Sequence, residues 1–363
     1  MRQLIIALFT ALAVALAGCQ ASRPAANAAA ARPFTDDPAT GNTSLQPEPY
    51  TRIARPDANT VQLQIAVRKF VPARHRGPTL WLAGTSHVGE PGYYHALQKH
   101  FDTQTVVLYE GINTGAHKRH VTNPGAASAT PDLPPSTPPT QPHPSGGFSM
   151  QSALAESLGL VFQLDAIDYE RTNFINSDLS ILQIQRLMLG DKDAVPAPPG
   201  VKGKTDPSFE FLLQIMDGSS FLGSLFKMGI QLIGSSPQLQ AVAKLTLVET
   251  LGQIKGDFSQ MRGLPPDMKR LVKVLIEARN QNVVDDLKTE FKSIPRAGSI
   301  SVFYGTGHME DMEKRIVRDL HYRPDGEIWL TAFSVDVRKT GLSPTELQMM
   351  RNVVKWQLDQ MQP

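Results

Sequence analysis

Two short apolar runs of this sequence end in the same motif, Gly-Thr-x-His, although they lie far apart along the chain. The run LWLAGTSH contains Gly84 and ends at His87, and the run SVFYGTGH contains Gly305 and ends at His308. Apolar runs of this length are typical of buried strands, and each glycine allows the abrupt turn by which a strand becomes a loop. The repeat predicts two strands of one sheet, with each histidine just beyond a strand end.

The segments around these runs alternate between strand and helix patterns. Val61–Val67 alternates apolar and polar residues, which predicts a half-buried strand. A helix pattern, EPGYYHALQKHF, separates LWLAG from TVVLYEG and so predicts a parallel crossover unit. Leu160–Tyr169 and Glu327–Val335 predict two further strands. The sequence therefore predicts an α/β fold, with a mixed central sheet, helices on both faces and a helical insertion.

Helix patterns dominate the second half of the chain. The run FLGSLFKMGIQLIG is too short and too interrupted to predict a membrane span. In the last helix, Ser343 and Glu346 have the spacing of a capping box. The predicted helices are Ser177–Leu189, Phe209–Met216, Phe221–Ile233, Pro237–Ile254, Pro266–Phe291, His308–Leu320 and Ser343–Met361.

The N-terminus has the pattern of a secretory signal. Arg2 precedes the apolar run Leu4–Ala17, and the segment LAGC ends at Cys19. This ending resembles the lipobox of bacterial lipoproteins, in which the cysteine is lipidated. Cys19 is the only cysteine of the chain, which excludes an intrachain disulfide and a Cys-ligated metal site. We expect a protein anchored by its lipid in the bacterial cell envelope, at the outer membrane facing the periplasm.

Tracts rich in Pro, Gly and small residues divide the chain into parts. The 363 residues carry a formal net charge of +2 and no run of Lys and Arg, so nucleic acid is not an expected partner. The predicted parts are a signal peptide (1–18), a flexible tether (19–48), a domain (49–340) and a C-terminal helix (341–363). Within the domain we predict a disordered Pro-rich loop (123–147), a second loop (190–207) and the helical insertion (208–293).

Three side chains are predicted to meet where parallel strands end. His87 and His308 follow two of the strands, and Glu110 ends the strand VVLYE. Two imidazoles and a carboxylate are a common ligand set for a catalytic divalent metal, here Zn, Mn, Co or Fe. The metal would acidify a bound water for attack on an acyl carbon. The alternative is that each histidine is structural, since so short a motif often occurs by chance.

Taken together, these motifs resemble those of the TraB/GumN superfamily, which includes the TIKI proteases, pheromone-shutdown proteins, erythromycin esterases and haem-binding ChaN lipoproteins. The shared pattern is GTSH, the strand VVLYEG, the pair Arg279-Asn280 and GTGH, within Pro78 to Val335. The resemblance implies a pseudo-repeated α/β core with a central site at the strand carboxyl ends. It also adds Asp178, in NSDLS, to that site, although Asp178 equally fits a helix cap.

The resemblance implies a metal-dependent hydrolase, and we expect a peptidase. His87, His308 and Glu110 would hold the metal and its water, and Arg279 and Asn280 would bind the substrate carbonyl or oxyanion. One alternative is a lipoprotein that captures haem or a peptide without turning it over. Another is an esterase without metal, in which a histidine activates water and Glu110 is its acid–base partner.

Overall fold

The computed structural model describes most of the predicted domain. The described residues are 49–74, 76–111, 150–188, 221–254 and 266–361. Several predictions fall on residues outside these ranges, namely the signal peptide, Cys19, the tether, the Pro-rich loop 123–147, the loop 190–207 and the helix Phe209–Met216. Within the described ranges the chain forms a mixed α/β fold with helices on both faces of a central sheet, which confirms the predicted fold class.

The described residues form a seven-stranded central sheet and a separate two-stranded sheet. The central strands are β1 (Thr51–Ala54), β2 (Thr60–Pro72), β3 (Thr79–Thr85), β5 (Val106–Tyr109), β7 (Phe174–Asn176), β8 (Ser299–Gly305) and β9 (Tyr322–Asp336). The small sheet pairs β4 (Val88–Gly89) with β6 (Val161–Phe162).

The strands that carry the motifs are parallel neighbours. Strand β8 lies between β3 and β5 and runs parallel to both, and β5 pairs in parallel with β7. Strand β2 runs antiparallel to β3, β1 and β9, which makes the sheet mixed. In register, Thr85 lies opposite Gly305, and Tyr109 lies opposite Phe303. The carboxyl ends of β3, β8 and β5 therefore meet at one edge of the sheet.

The predicted strand Leu160–Tyr169 was wrong. Only β6 forms there, outside the central sheet, and a short helix follows at Gln163–Ala166. The buried residues of this segment are Leu160, Gln163 and Ile167, spaced three and four apart. That is the spacing of a helix, whereas a strand buries every second residue. The fourth parallel strand is β7, whose three residues are too few to give a periodic signal.

Ten α-helices lie within the described ranges. They are α1 (Pro91–Phe101), α2 (Met150–Leu158), α3 (Gln163–Ala166), α4 (Ile181–Met188), α5 (Phe221–Gly234), α6 (Pro237–Leu251), α7 (Pro266–Lys273), α8 (Arg279–Ser293), α9 (Thr306–Asp319) and α10 (Pro344–Met361). A π-helical turn, Val274–Ala278, joins α7 to α8, and a 3-10 turn, Val337–Thr340, precedes α10. No described helix has the length and hydropathy needed to cross a membrane.

Most of the predicted helices have the expected position, and their ends have identifiable causes. The capping box before α10 is confirmed, because Ser343 N donates to Glu346 Oε2 at 2.9 Å and Glu346 N donates to Ser343 Oγ at 3.3 Å. The helix predicted from Ser177 begins only at Ile181. Ser180 exchanges hydrogen bonds with Gln183 and so provides the start signal three residues later.

The two faces of the central sheet are covered by different helices. Buried residues of α1, α2 and α6 pack with Phe303 on one face. Buried residues of α8 and α9 pack with Val302 and Tyr304 on the other face. Successive residues of β8 thus enter opposite cores, as the pleat of a strand requires. This second cluster of buried residues packs α8 and α9 against the end of β8, which carries the second motif.

Candidate functional site

Glu110 follows the end of β5 and reaches across to the end of β8. Its Oε2 accepts a hydrogen bond from Gly305 N at 2.7 Å. A Cβ atom added at Gly305 would lie 3.3 Å from this same oxygen, so glycine permits the close approach. The other oxygen, Oε1, accepts from Arg279 Nη2 at 2.8 Å. Both oxygens of Glu110 are therefore engaged by groups from other parts of the chain.

Arg279, the first residue of α8, is the centre of a buried charge cluster and is 5% exposed. Its Nε and Nη2 donate to the two oxygens of Asp178 at 2.8 and 2.6 Å, and the Asp178 side chain is inaccessible to solvent. Its Nη1 faces Leu275 O and His308 Nε2, each at 3.4 Å. With the bond to Glu110, each N–H of the guanidinium faces an acceptor within the protein.

Asp178 belongs to this hydrogen-bonded cluster. Besides Arg279, its carboxylate accepts from Gly111 N at 3.0 Å and from Leu179 N at 2.7 Å. The bond to Gly111 connects Asp178 to the backbone directly after Glu110. Asp178 thus holds Arg279 and the end of the Glu110 strand together, whereas Ser180 takes the capping position of α4.

His308 lies in the first turn of α9 and is 4% exposed. Its Nδ1 is 2.7 Å from Asn280 Oδ1. The Nδ2 of Asn280 faces two acceptors, His308 O at 3.0 Å and Asp311 Oδ2 at 2.8 Å, so the amide end that faces the imidazole is the oxygen. His308 Nδ1 must therefore donate a proton, and the neutral ring keeps a lone pair on Nε2. That lone pair faces Arg279 Nη1.

The buried charges set the protonation states of the site. Burial lowers the pKa of His308 to about 4, against the raising effect of Glu110. Burial alone would raise the pKa of Glu110, but Arg279 and, to a lesser degree, His308 and His87 hold it well below its usual value. Burial acts to lower the pKa of Arg279, but Glu110 and Asp178 raise it well above its usual value. At neutral pH the site therefore contains an imidazole, a guanidinium and ionised Glu110.

His87 stands at the same edge of the sheet but outside the hydrogen-bonded cluster. It is half-buried, in the loop after β3, and its carbonyl accepts from Gln163 N at 2.9 Å. Its imidazole lies near enough to Glu110 to help lower the pKa of that carboxyl. The structure thus brings together Glu110, Arg279, Asp178, Asn280 and His308, and places His87 beside them.

The metal site predicted at His87, His308 and Glu110 stays a prediction, and Arg279 lies between two of these residues. Within the described ranges, no group of three or more His, Cys, Asp or Glu side chains is spaced to hold a metal ion. The Arg279 guanidinium bridges Glu110 Oε1 and His308 Nε2, two of the atoms that would bind the metal. A divalent cation would have to displace this positive charge.

Two residues of the site were absent from the prediction. Tyr304 places its ring edge to face with the His308 ring, with the centroids 5.1 Å apart, so it lines the pocket of the imidazole. Asp311 accepts from Asn280 Nδ2 and so bears on the orientation of the amide. Asp311 follows His308 by three residues, and on a helix this spacing places both side chains on one face. That spacing was a signal available in the sequence.

No family model, no curated protein and no solved structure matches this chain. The membership in the TraB/GumN superfamily stays a prediction from the motifs.

Proposed function

We propose that this protein is a hydrolase that cleaves an acyl bond of a peptide or an ester, with His308 Nε2 as the general base. The observation that supports this proposal is the neutral His308 ring, whose Nδ1–H is held by Asn280 while Nε2 keeps its lone pair. A positioned imidazole is the commonest base in water activation, and here the attacking water would take the place of Arg279 Nη1, which lies 3.4 Å from Nε2.

In the proposed reaction a water oxygen attacks the acyl carbon and one water proton passes to His308 Nε2. The imidazolium that forms would lie 3.7 Å from Glu110 Oε1, whose negative charge stabilises it. The proton then passes to the leaving amine or alcohol as the acyl bond breaks. His308 delivers this proton itself, and His87, half-buried at the neighbouring strand end, stays a predicted site residue.

Arg279 and Asn280 are assigned a supporting role in this scheme. The amide of Asn280 is fully buried and bonded at both ends, and each N–H of Arg279 has a protein acceptor. These contacts favour residues that orient His308 and Glu110. Their binding of a substrate oxyanion stays a prediction, and it requires Arg279 to exchange one of its present partners for the substrate.

The metal-dependent form and the binding alternative also stay predictions. A metal would be expected to bind at His308 Nε2, and the present position of Arg279 opposes it, so the scheme contains no metal step. Haem or a peptide held without turnover would use the same edge of the sheet. Among these possibilities we propose the metal-free hydrolase, because Asn280 already holds His308 as the Nδ1–H tautomer that a base at Nε2 requires.

The test is a screen of purified protein against p-nitrophenyl esters and a peptide library, with and without chelator and with added Zn, Mn or Co. We expect hydrolysis that survives the chelator, and a loss of about 100-fold or more in the His308→Gln variant. His95→Gln is the matched control, because His95 is exposed on α1 and should leave the rate unchanged.

The outcomes separate the hypotheses. Activity that is lost with chelator and restored by one metal would support the metal-dependent form and contradict ours. Absence of hydrolysis together with a haem absorbance band or a captured peptide would support the binding alternative. A His308→Gln variant with the full rate would rule out the assigned base.

The proposed location is the cell envelope, through a lipid on Cys19, which lies outside the described residues. Replacing Cys19 with Ser should abolish the incorporation of labelled palmitate. A Ser variant that is still labelled would rule out the anchor and leave the proposed chemistry untouched.

A further inference from the structure

Asp311 connects the candidate base to a second ion pair on the same helix. Its Oδ2 accepts from Asn280 Nδ2 at 2.8 Å and from Arg315 Nε at 2.6 Å. Arg315 also donates through Nη1 to Gln281 Oε1 at 2.7 Å, and Gln281 is the neighbour of Asn280 on α8. A continuous chain of bonds therefore runs from Arg315 through Asp311 and Asn280 to the ring of His308.

We infer that Asp311 is a positioning residue that acts through Asn280 to keep His308 as the Nδ1–H tautomer. The link from this tautomer to turnover rests on the proposed function, because only the Nδ1–H tautomer leaves Nε2 unprotonated as a base. The effect of Asp311 on the tautomer itself is independent of any activity.

The Asn280 amide can face its neighbours in two orientations. In the observed orientation Nδ2 donates to His308 O and to Asp311 Oδ2, while Oδ1 accepts from the imidazole. A flipped amide would place Oδ1 against the carbonyl and the carboxylate, both of which only accept. It would also offer an N–H to Nδ1 and so favour the wrong tautomer, with the proton on Nε2.

The negative charge of Asp311 makes the flipped amide unfavourable, because a carboxylate facing a buried amide oxygen repels it. The main-chain carbonyl of His308 gives a weaker preference, since it is uncharged. Arg315 keeps the carboxylate in place from one turn further along α9. Among these hydrogen-bonded groups, Asp311 is the charged one that faces the Asn280 amide. Removing its charge should therefore allow the amide to flip.

This role can be separated from a purely structural one. The side chains of Asp311 and Arg315 are 28% and 13% exposed, and a partly exposed pair of this kind contributes at most about 1 kcal/mol to folding. Losing it should leave the protein folded. A change in the His308 tautomer in a folded variant is then an effect on the site and not on the fold.

The experiment is ¹⁵N NMR of the full chain labelled at histidine, at pH 7, with the His308 signals identified by their absence in the His308→Gln variant. In the wild type we expect one tautomer, with a protonated Nδ1 and an unprotonated Nε2. Asp311→Asn keeps the shape but removes the negative charge, so a flipped Asn280 amide would no longer face a carboxylate. We expect its His308 signals to move toward the averaged values of two exchanging tautomers or toward the Nε2–H form.

Two variants serve as controls. Asp311→Glu keeps a carboxylate and should therefore keep the wild-type tautomer of His308. Arg315→Gln removes the ion pair but leaves the Asp311 carboxylate as acceptor, so this variant should also keep the wild-type tautomer. If Asp311→Asn does not fold, Asp311→Ser is expected to give the same change, because its hydroxyl can donate. A folded Asp311→Asn or Asp311→Ser variant with the wild-type His308 signals would overturn the inference.

The same samples distinguish this inference from the proposed function. Tautomer changes as expected in a protein that hydrolyses none of the esters or peptides would support the inference and contradict the hydrolase. A hydrolase whose Asp311→Asn variant lowers kcat together with the tautomer change, and whose Asp311→Glu variant restores both, would support the two proposals together.

Discussion

The two Gly-Thr-x-His motifs begin in the same way and end in different surroundings. Thr85 and Gly305 are register partners on adjacent parallel strands, so the motifs leave the sheet side by side. After the first threonine the chain enters a loop, and after Gly305 it enters α9. His308 is consequently buried against Asn280 and Tyr304, whereas His87 is half-buried beside them. A shared motif thus specified where each strand ends and did not specify what its histidine contacts.

The difference continues three residues after each histidine, where both motifs have an acidic residue. Asp311 faces Asn280 and belongs to the site. Glu90 Oε1 instead accepts from Ser334 N at 2.8 Å, so it binds the backbone of β9. The acidic residue after the second motif therefore contacts the candidate site, and the one after the first motif binds the sheet.

The largest expected effect is at Arg279, which serves the second motif. Arg279→Met would leave Asp178 and Glu110 as buried carboxylates without their cation, at a cost of about 3–5 kcal/mol in the free energy of unfolding. Chemical denaturation measures this change. Arg296→Met is the control, since Arg296 is exposed and its replacement should change stability by about 0.5 kcal/mol or less. Similar losses in both variants would contradict the buried cluster.

The two histidines should differ in their effect on stability. His308→Ala leaves Asn280 Oδ1 buried without a donor, which should cost about 2–3 kcal/mol. His87→Ala removes a half-buried ring and should cost about 0.5 kcal/mol or less. Denaturation of both variants at pH 7 measures the difference. Equal losses in the free energy of unfolding would mean that His87 and His308 contribute equally to stability, which would contradict the difference in their surroundings.

The buried histidine should also make stability depend on pH. Its pKa of about 4 in the folded state is below the usual 6.5, so the unfolded chain binds more protons between these values. Stability is then fully present above pH 6.5 and falls as the pH drops toward 4. The contribution of His308 between pH 7 and pH 5 should be on the order of 2 kcal/mol. Denaturation midpoints of wild type and His308→Gln at both pH values test this, and an unchanged pH dependence in the variant would contradict it.

The smallest expected effect is at Glu90. Glu90→Gln keeps an oxygen that can accept from Ser334 N, so its stability should change by less than about 0.5 kcal/mol. Its ¹⁵N spectrum should retain the wild-type tautomers of His87 and His308. If Glu90→Gln changed the His308 signals as much as Asp311→Asn does, Glu90 and Asp311 would have the same effect on the His308 tautomer, and the expected difference between them would be wrong.

Local patterns were sufficient to predict most of the fold. The apolar runs of β3, β5 and β8 gave the parallel neighbours, and their shared edge followed from the ends of the strands. The strand predicted at Leu160–Tyr169 failed because a short apolar run fits a strand and a helical turn equally well. The actual neighbour of β5, Phe174–Asn176, is held by pairing with β5, which no local pattern encodes.

The sequence suggested five of the residues that the structure brings together, but it suggested neither Tyr304 and Asp311 nor the contacts between the side chains. The motifs place Glu110 and His308 at one edge, but the pairing of Arg279 with Asp178 joins residues 101 positions apart and depends on how α8 packs. Saturation of the Arg279 donors follows only from that packing. The sequence spacing places Asp311 on the same helix face as His308. Its contact with the Asn280 amide, however, is visible only in the structure.

The π-helical turn Val274–Ala278 lies directly before Arg279 and Asn280. Such a turn takes up one residue more than an α-helical turn, and each residue of an α-helix accounts for a rotation of about 100°. Deleting one residue there would let the helix close as a regular one, and would turn the faces of α7 and α8 relative to each other by about that angle. The site would then be lost with every one of its side chains still present. The site therefore depends on the number of residues in this turn as well as on the side chains that form it. Substitutions would not reveal this dependence, whereas a deletion scan would.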